Sequence, residues 1–536
     1  MVWAWLLLSG CGPGVDASRS RGGAAANDGP SFVEPPRVEH GAAPLMSLGR
    51  VLTVHTDRPT RLEVVCRGGG ETLVQRFGTE RLTHVVPVVG LLPETTFDIE
   101  VRAIDATGAS VLAVDRFGTD ALPTPFPRLE VLTLDAARME PGLTVLPLQV
   151  PGGEHRYAVA LDDQARVRWV LGVTNHLTDL RLTDAGEVWL IQRSGVERRG
   201  ILGIVQTRWE QTGDGENNLA VDVGGFHHDA FPVEGGFVSL GRATRDVEGY
   251  PPLDDPIGPG SAAELYIPRL VQVADDGAVL VDIDLGDALD LGRISASSHE
   301  PTVWGLDWAH ANAAAPDGDG WLVSLRHQDA VVRIDAAGEV DWILANPDGW
   351  LEPLASRRLK APPGMPWPFH MHAPVRLPDG GLLLFDNGNG QATPYAPEPA
   401  GAELSRVVAY DLDPAAGTVR ERWAVGDTGT GWLFSDAVGD ADWLPGTGNV
   451  LAVYGRLEGE GVVGNAEAGR GEVHARVIEF DPEQPVPAAM DLRVWSPADE
   501  VAEGWTVYRA QRIDRLHPSV VLRDEPGWEE AVGGRR

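Results

Sequence analysis

The sequence predicts an all-β protein, a six-bladed β-propeller preceded by a smaller β-sandwich. Three observations predict it. Glycine (64), proline (41) and tryptophan (17) are abundant among 536 residues, a composition of many turns and many packed aromatics. One phrase recurs beyond residue 130: a strand, an Asp/Gly turn, then a second strand, often with a tryptophan near its end. Ahead of it lies a run of short segments in which apolar and polar residues alternate, as in half-buried strands.

Taken in order, the chain opens on an apolar run, Val2–Leu8, followed by Leu8-Ser-Gly-Cys11. This resembles the bacterial lipoprotein signal, so residues 1–11 are read as a signal peptide and Cys11 as the lipidated cysteine. The run is short and no Lys or Arg precedes it, which departs from that signal. Gly12 after the cysteine favours the outer membrane. Residues 12–34, rich in Gly, Ala, Ser, Arg and Asp, read as a flexible tether. Residues 35–121 carry the sandwich, with strands expected at Val51–His55, Arg61–Cys66, Thr83–Val89, Phe97–Ile104 and Val111–Phe117. The stretch from Leu91 through Asp105 resembles a fibronectin type III module, with Phe97 in place of the usual tyrosine. Pro123-Thr-Pro-Phe-Pro127 marks a stiff linker over 122–130.

Residues 131–520 hold the repeats. They fall at Ala158–Trp169, Leu180–Leu190, Phe231–Leu240, Gly320–Trp342, Val375–Phe385, Val407–Trp423 and Trp443–Tyr454. Units of roughly 40–65 residues suit propeller blades with insertions. A two-sheet sandwich or a β-helix is the alternative. Residues 521–536 read as a tail.

The formal net charge is -34. Such a field repels DNA, RNA and anionic lipid headgroups, so no nucleic-acid partner is expected, and the membrane is expected only through the lipid anchor. Any anion site must be locally basic. Lys360 is the single lysine, and no Gly-x-x-x-x-Gly-Lys-Ser/Thr stretch exists, which excludes a P-loop nucleotide site. Cationic work falls to Arg and His. Of two cysteines, Cys11 and Cys66, the first is assigned to lipid, so no intrachain disulfide is expected. No segment approaches the ~20 apolar residues of a membrane-spanning helix.

Histidines cluster at three matched places, each just ahead of a strand–turn–strand phrase: Phe226-His-His-Asp229, Asp307-Trp-Ala-His-Ala-Asn312 and Phe369-His-Met-His372. In a propeller, equivalent positions of successive blades ring one channel, so these imidazoles would converge. Arg326 follows the second cluster on a strand that otherwise reads as buried. A buried guanidinium requires an anion or several acceptors. A structural pairing with Asp329 or Asp386 is the plainer account.

Five segments together resemble the bacterial arylsulfate sulfotransferase family over roughly residues 35–515. They are His227-His-Asp229, Asp307-Trp-Ala-His-Ala-Asn312, Ser324-Leu-Arg-His327, Met371-His372 with Phe385-Asp-Asn-Gly388, and Tyr508-Arg-Ala510. The resemblance implies transfer of a sulfuryl group from an aryl sulfate donor to a phenolic acceptor, with no cofactor and no metal. It implies His372 as the nucleophile and His228, His310 and Arg326 as its catalytic partners. His227, Asn312 and Asn387 become substrate-binding groups. It implies a periplasmic or cell-envelope location and leaves a homodimer open. Met371 stands where the family has Gln, and His370 lies two positions from the nucleophile. The loop after His-His-Asp is one residue short, so His227 competes with His228 for the site. Two other functions remain open: a metal-dependent hydrolase with His310, Asn312, Asp229 and Asp386 as ligands, and a surface adhesion protein without catalysis.

Overall fold

The recurring phrase folds into hairpins because its turns carry their own hydrogen bonds. Asp162 accepts from the backbone N–H groups of Gln164 (3.0 Å) and Arg166 (2.9 Å). Asp335 accepts in the same way from Ala337 (2.8 Å) and Glu339 (2.9 Å). These side chains hold the turn while the strands on either side pair. The residue that closes the turn is left-handed. Gly186 takes φ 77° there without a Cβ penalty, and Ala165 takes φ 58° at the same place, held by Asp162.

The computed structural model describes residues 29–528 except 42, 44–45, 175, 193–194, 215–216, 256–257, 391–402, 430, 459–472, 524 and 526–527. Cys11, the signal peptide 1–11 and residues 12–28 of the tether 12–34 lie outside the described residues. The described chain is all-β, with strands in seven sheets and only two single-turn α-helices. No helix among them is long and apolar enough to cross a membrane.

The first sheet in the chain joins Arg37–His40, Arg50–Gly68, Glu71–Val88, Thr96–Ile104 and Ser110–Gly118. The expected strands Val51–His55 and Arg61–Cys66 are halves of one 19-residue strand. Pro59 sits where the register shifts between His55 and Thr60, so the strand is interrupted locally but does not end. Leu52 and Val54 from one half and Leu62, Val64 and Cys66 from the other share one core. Phe97 is fully buried there and stacks on Phe117 at 5.7 Å. Burial pushes the Cys66 thiol up to about 12, leaving it unreactive. Val520–Val521 pairs with Glu71–Val88, so the chain read as a tail from 521 begins inside a strand.

Six more sheets follow, and the seven repeats fall in them, two in one sheet. In chain order they are built on the hairpins Arg156–Leu161/Val167–Gly172, Leu177–Leu182/Glu187–Gln192, His227–Val233/Gly236–Tyr250, Ala311–Asp317/Gly320–Leu325, His372–Arg376/Leu382–Asp386 and Asp440–Trp443/Val450–Glu458. The chain ends interlock with these sheets. Arg128–Leu134 pairs with Met490–Trp495, and Thr506–Val507 and Gln511–Ile513 pair with Leu143–Gln149. The strand at Arg128 lies inside the span read as linker; it forms because Met490–Trp495 would otherwise be an unpaired edge.

The strands Leu177–Leu182, His227–Val233, Ala311–Asp317, His372–Arg376 and Asp440–Trp443 pack one against the next. Four of these leading strands carry a register shift near their start, the signature of a β-bulge. They bring buried charge together. Asp229 accepts from Arg181 Nη2 (2.8 Å), Arg509 Nη2 (3.0 Å) and the N–H of Ala314 (3.1 Å). Burial pushes its carboxyl up, but Arg509 and Arg181 overcome that and hold it down at about 2. Asp440, which accepts from Ala510 N, is driven the other way by burial and by Asp442, well above the usual carboxylate range. Two guanidiniums thus face more carboxyls than they can neutralise, and Asp440 retains its proton.

Asp229→Ala removes the acceptor shared by two buried arginines and a backbone N–H. Chemical denaturation of this variant is expected to show a loss of about 3–5 kcal/mol. A loss below about 1 kcal/mol would show that the cluster does not hold the leading strands together.

Candidate active site

The bulges aim the histidines. His228 (φ 61°), His310 (φ 45°) and His370 (φ 53°) are left-handed, as is Ala373 (φ 49°) beside His372. Left-handed non-glycine residues cost of order 1–3 kcal/mol each and persist only where their surroundings impose them. Here each sits at or just ahead of the start of a leading strand. The reward is convergence: the His228 and His310 rings lie 4.9 Å apart, and Tyr508 lies 6.2 Å from His228 and 6.4 Å from His372. Arg326 is close enough to His372 and His310 to lower both imidazoles. The structure therefore brings His228, His310, Arg326 and His372 to one place.

Hydrogen bonds decide which nitrogen of each ring carries the proton. Asn387 donates through Nδ2 to Ser435 O and Val438 O, both at 2.8 Å. Its amide orientation is thereby set, and Oδ1 accepts from His372 Nδ1 at 2.6 Å. The Nε2 lone pair of His372 is left free. Burial and the neighbouring Arg326 hold this imidazole down at about 3, so it is neutral at pH 7. Asn387, read as substrate-binding, instead orients the nucleophile candidate. Asn312 plays a related part: its Nδ2 donates to Met371 O (2.9 Å), as Ser324 Oγ does (3.0 Å), and its side chain is fully buried.

His227 and His228 form a second chain. His227 Nε2 lies 2.9 Å from Gly241 O, which can only accept, so Nδ1 of His227 is the acceptor for Nδ1–H of His228 at 2.7 Å. His228 keeps a free Nε2 and faces His310 and Tyr508, while His227 turns toward Tyr266. The register shift between His227 and Ala230 produces this difference. Burial holds His227 down at about 4 and His228 well below its ordinary value.

His310 is backed by a carboxylate. Its Nδ1 lies 2.5 Å from Asp307 Oδ2, and its own N–H donates to Asp307 Oδ1 at 3.0 Å. Burial, His327 and Arg326 keep the ring well below its ordinary value.

Arg326 is not on a strand. It opens a single 3-10 turn, Arg326–Gln328, just past Gly320–Leu325. Nor does it pair with the acids expected for it: Asp329 lies against His370, and Asp386 pairs with Arg406. Its Nη1 meets His327 Nε2 (2.8 Å), its Nη2 donates to Asp436 O (3.2 Å), and its buried Nε has no partner. No carboxylate among the described residues forms an ion pair with it. Glu300, Asp436, Asp329 and Asp307 favour its charge from beyond contact, but its hydrogen bonds go to neutral acceptors, which leaves the fork able to take an anion.

A metal fits poorly. Asp229 and Asp386 are engaged with arginines, and Asn312 is fixed through Nδ2 on Met371 O. Asp307, His310 and His327 do lie within ligand range of one another. However, His327 donates Nδ1–H to Asp307 O (2.7 Å) and meets Arg326 through Nε2. Neither nitrogen is free, and the guanidinium opposes a cation.

A cavity of about 290 Å³ opens on His227, His228 and His310, walled by Phe226, Tyr266 and Trp304. A larger one, about 730 Å³, is lined by Asp282, Asp284, Asp287 and Glu352 and holds none of these histidines. The sequence reading overlooked the pairing of Asp307 with His310 and the ring of Tyr508 at the site. The Asp307–His310 pair lies within one quoted segment and its i,i+3 spacing was the available signal, whereas Tyr508 meets His228 and His372, which are distant in the chain.

The sequence model of the family described as Arylsulfotransferase (ASST) matches residues 129–494. The chain is similar to arylsulfate sulfotransferase AssT of Escherichia coli O6:H1, 32% identical over 180 residues, and to that of Lelliottia amnigena, 31% over 182. Each match covers 29% of this chain and 30% of the relative, so it spans less than a third of either protein. Among solved structures, a Bacteroides caccae protein of unknown function aligns with 70% of this chain and all of its own at 13% identity and TM-score 0.38. PorZ of Porphyromonas gingivalis aligns with 84% of this chain and 48% of its own at 9% and 0.25. Likenesses this low bear on neither fold nor function.

The tautomer assignment is open to direct measurement. Nitrogen-15 spectra of histidine-labelled protein are expected to show His372 protonated on Nδ1 and neutral from pH 8 down to about 4, since its proton uptake is displaced to about 3. A midpoint near the ordinary ~6.5 would contradict the arrangement.

Proposed function

We propose that this chain, which belongs to the arylsulfotransferase family, transfers a sulfuryl group from an aryl sulfate to a phenolic acceptor through a sulfo-histidine at His372. The observation that carries the reading is the His372–Asn387 pair beside Arg326: a neutral nitrogen nucleophile with a fixed lone pair, next to a guanidinium that lacks a carboxylate.

The steps follow from these groups. Arg326 binds the sulfate oxygens and stabilises the charge that spreads over them as the sulfur is displaced in line. His372 Nε2 forms a bond to sulfur as the bond from sulfur to the aryl oxygen breaks. The ring keeps its Nδ1–H on Asn387 Oδ1, so the positive charge it gains is shared with that amide. The departing phenolate needs a proton. His310 is neutral in the free protein because burial and nearby cations disfavour its charge. An entering anion offsets both effects, and Asp307 favours the imidazolium, so His310 takes up a proton and passes it to the leaving oxygen. In the second half, an incoming phenol gives its proton to His310 or to the free Nε2 of His228, and its oxygen forms a bond to the sulfo-histidine sulfur as the bond from sulfur to His372 Nε2 breaks, which restores the neutral imidazole. The reaction is ping-pong and needs no nucleotide sulfate, which agrees with the missing P-loop.

The same proposal includes architecture and place. The six later sheets are the blades of a six-bladed propeller, supported by the succession of leading strands and the interlocked chain ends. The first sheet is a fibronectin type III-like module. Cys11 anchors the chain by lipid at the cell envelope, facing a periplasm where aryl sulfates serve as donors. A homodimer stays open.

Intact-mass analysis after incubation with p-nitrophenyl sulfate alone is expected to show one added sulfuryl group on the peptide containing His372. His372→Ala abolishes both label and turnover. Arg326→Lys, which retains charge but not the fork, lowers the labelling rate by about 100- to 1000-fold. A label that persists in the His372 variant removes the assignment.

A further inference from the structure

The cavity beside His228 and His310 carries a cation that the transfer steps above leave unused. Arg242 lies on Gly236–Tyr250, one residue past Gly241, whose carbonyl accepts from His227. Its Nε donates to Gly224 O, and its guanidinium sits over the Trp304 ring, 4.1 Å from the centroid. It lines the cavity and is half-buried. No carboxylate of the described residues pairs with it; the Tyr266 phenol bears on it, and it in turn helps lower His227. The one acid on the cavity wall, Asp307, has both oxygens engaged by His310.

The walls complete the description. Trp304 and Tyr266 face each other at 6.0 Å with 32° between their planes. Trp304 is 43% exposed, so the mouth is accessible. Flat apolar walls with a few convergent polar groups are the usual form of a small-molecule site. A partly desolvated guanidinium with no acid is unfavourable until an anion covers it, and its planar fork matches a carboxylate through two parallel hydrogen bonds. The His227 ring stands between His228 and the Gly241 carbonyl, and Arg242 lines the same cavity as His228 and His310.

We propose that this cavity is the aryl subsite and that Arg242 selects phenols bearing a carboxylate at the end of the ring remote from the reacting hydroxyl. The inference rests on the transfer reading above. In a molecule whose overall charge repels anions, one uncompensated cation at this place decides which aryl anions enter. Arg326 then takes the sulfate, and Arg242 takes the second anion.

The test compares 4-hydroxyphenylacetate with tyramine, of similar size and opposite charge, and with unsubstituted phenol. Calorimetric titration of the whole protein is expected to show the acid bound about ten- to a hundredfold more tightly than the amine, the range of a charge-assisted hydrogen bond. With p-nitrophenyl sulfate as donor, kcat/KM follows the same order. Arg242→Met removes the preference and leaves phenol within about threefold of wild type. Trp304→Ala, at an exposed position that tolerates truncation, weakens all three. Equal affinity for acid and amine in the wild type, or a preference that survives in Arg242→Met, overturns the subsite. Preferential binding of the acid without transfer to any acceptor upholds the subsite and refutes the transfer reading instead.

Discussion

The interaction on which the structure depends is the buried meeting of Asp229 with Arg181 and Arg509. Asp229 lies on His227–Val233, Arg181 on Leu177–Leu182, and Arg509 just ahead of Gln511–Ile513. The same carboxylate takes the N–H of Ala314 on Ala311–Asp317. One side chain therefore ties three leading strands to the C-terminal segment. Removing Asp229 would leave two buried guanidiniums to share Asp179, which lies 3.2 Å from Arg181 and 3.9 Å from Arg509, so the members of the cluster depend on one another. The residue before Asp229 is His228, and the residue before Arg509 is Tyr508. The anchor thereby helps to place His228 and Tyr508 by sequence adjacency.

Backbone strain and backbone acceptors do the rest. A left-handed residue at a bulge turns its side chain out of the pleat's alternation, and His228, His310 and Ala373 all use that device. Carbonyl groups, which only accept, then settle the proton positions: Gly241 O for His227 and His228, and Ser435 O and Val438 O, through Asn387, for His372. The imidazoles stay neutral because they are buried beside one another and beside Arg326. Neutrality is what a nitrogen nucleophile requires, and the entering anion supplies the charge that changes it.

A formal charge of -34 opposes an anionic ligand only at long range. Exposed carboxylates are screened within about 8 Å at physiological ionic strength. Inside the site, Arg326 has no carboxylate partner among the described residues, and neither has Arg242. Most other arginines are paired, as Arg333 is with Asp317 and Arg476 with Asp491. The pairing is selective, and the unpaired guanidiniums mark where an anion belongs.

Much of this was legible in the sequence. The all-β class followed from turn chemistry and alternation, because Asx and glycine turns act within a few residues. The hairpins at Leu180–Leu190 and Val375–Phe385 appear where the phrase put them, and the three histidine clusters do share one position relative to their strands. What the sequence could not decide involves partners far apart in the chain. Val51–His55 and Arg61–Cys66 read as two strands, yet Arg50–Gly68 is one strand that runs through Pro59 because Glu71–Val88 pairs with both halves. Arg326 reads as strand and as a partner for Asp329 or Asp386, but those acids are taken by His370 and Arg406. Asn387 reads as a substrate ligand, and only its meeting with His372, Ser435 and Val438 makes it an orienting group. Local rules act through neighbours in sequence and are written there. Proton position, charge balance and the choice of one partner among many act through neighbours in space, and the tertiary structure alone decides them.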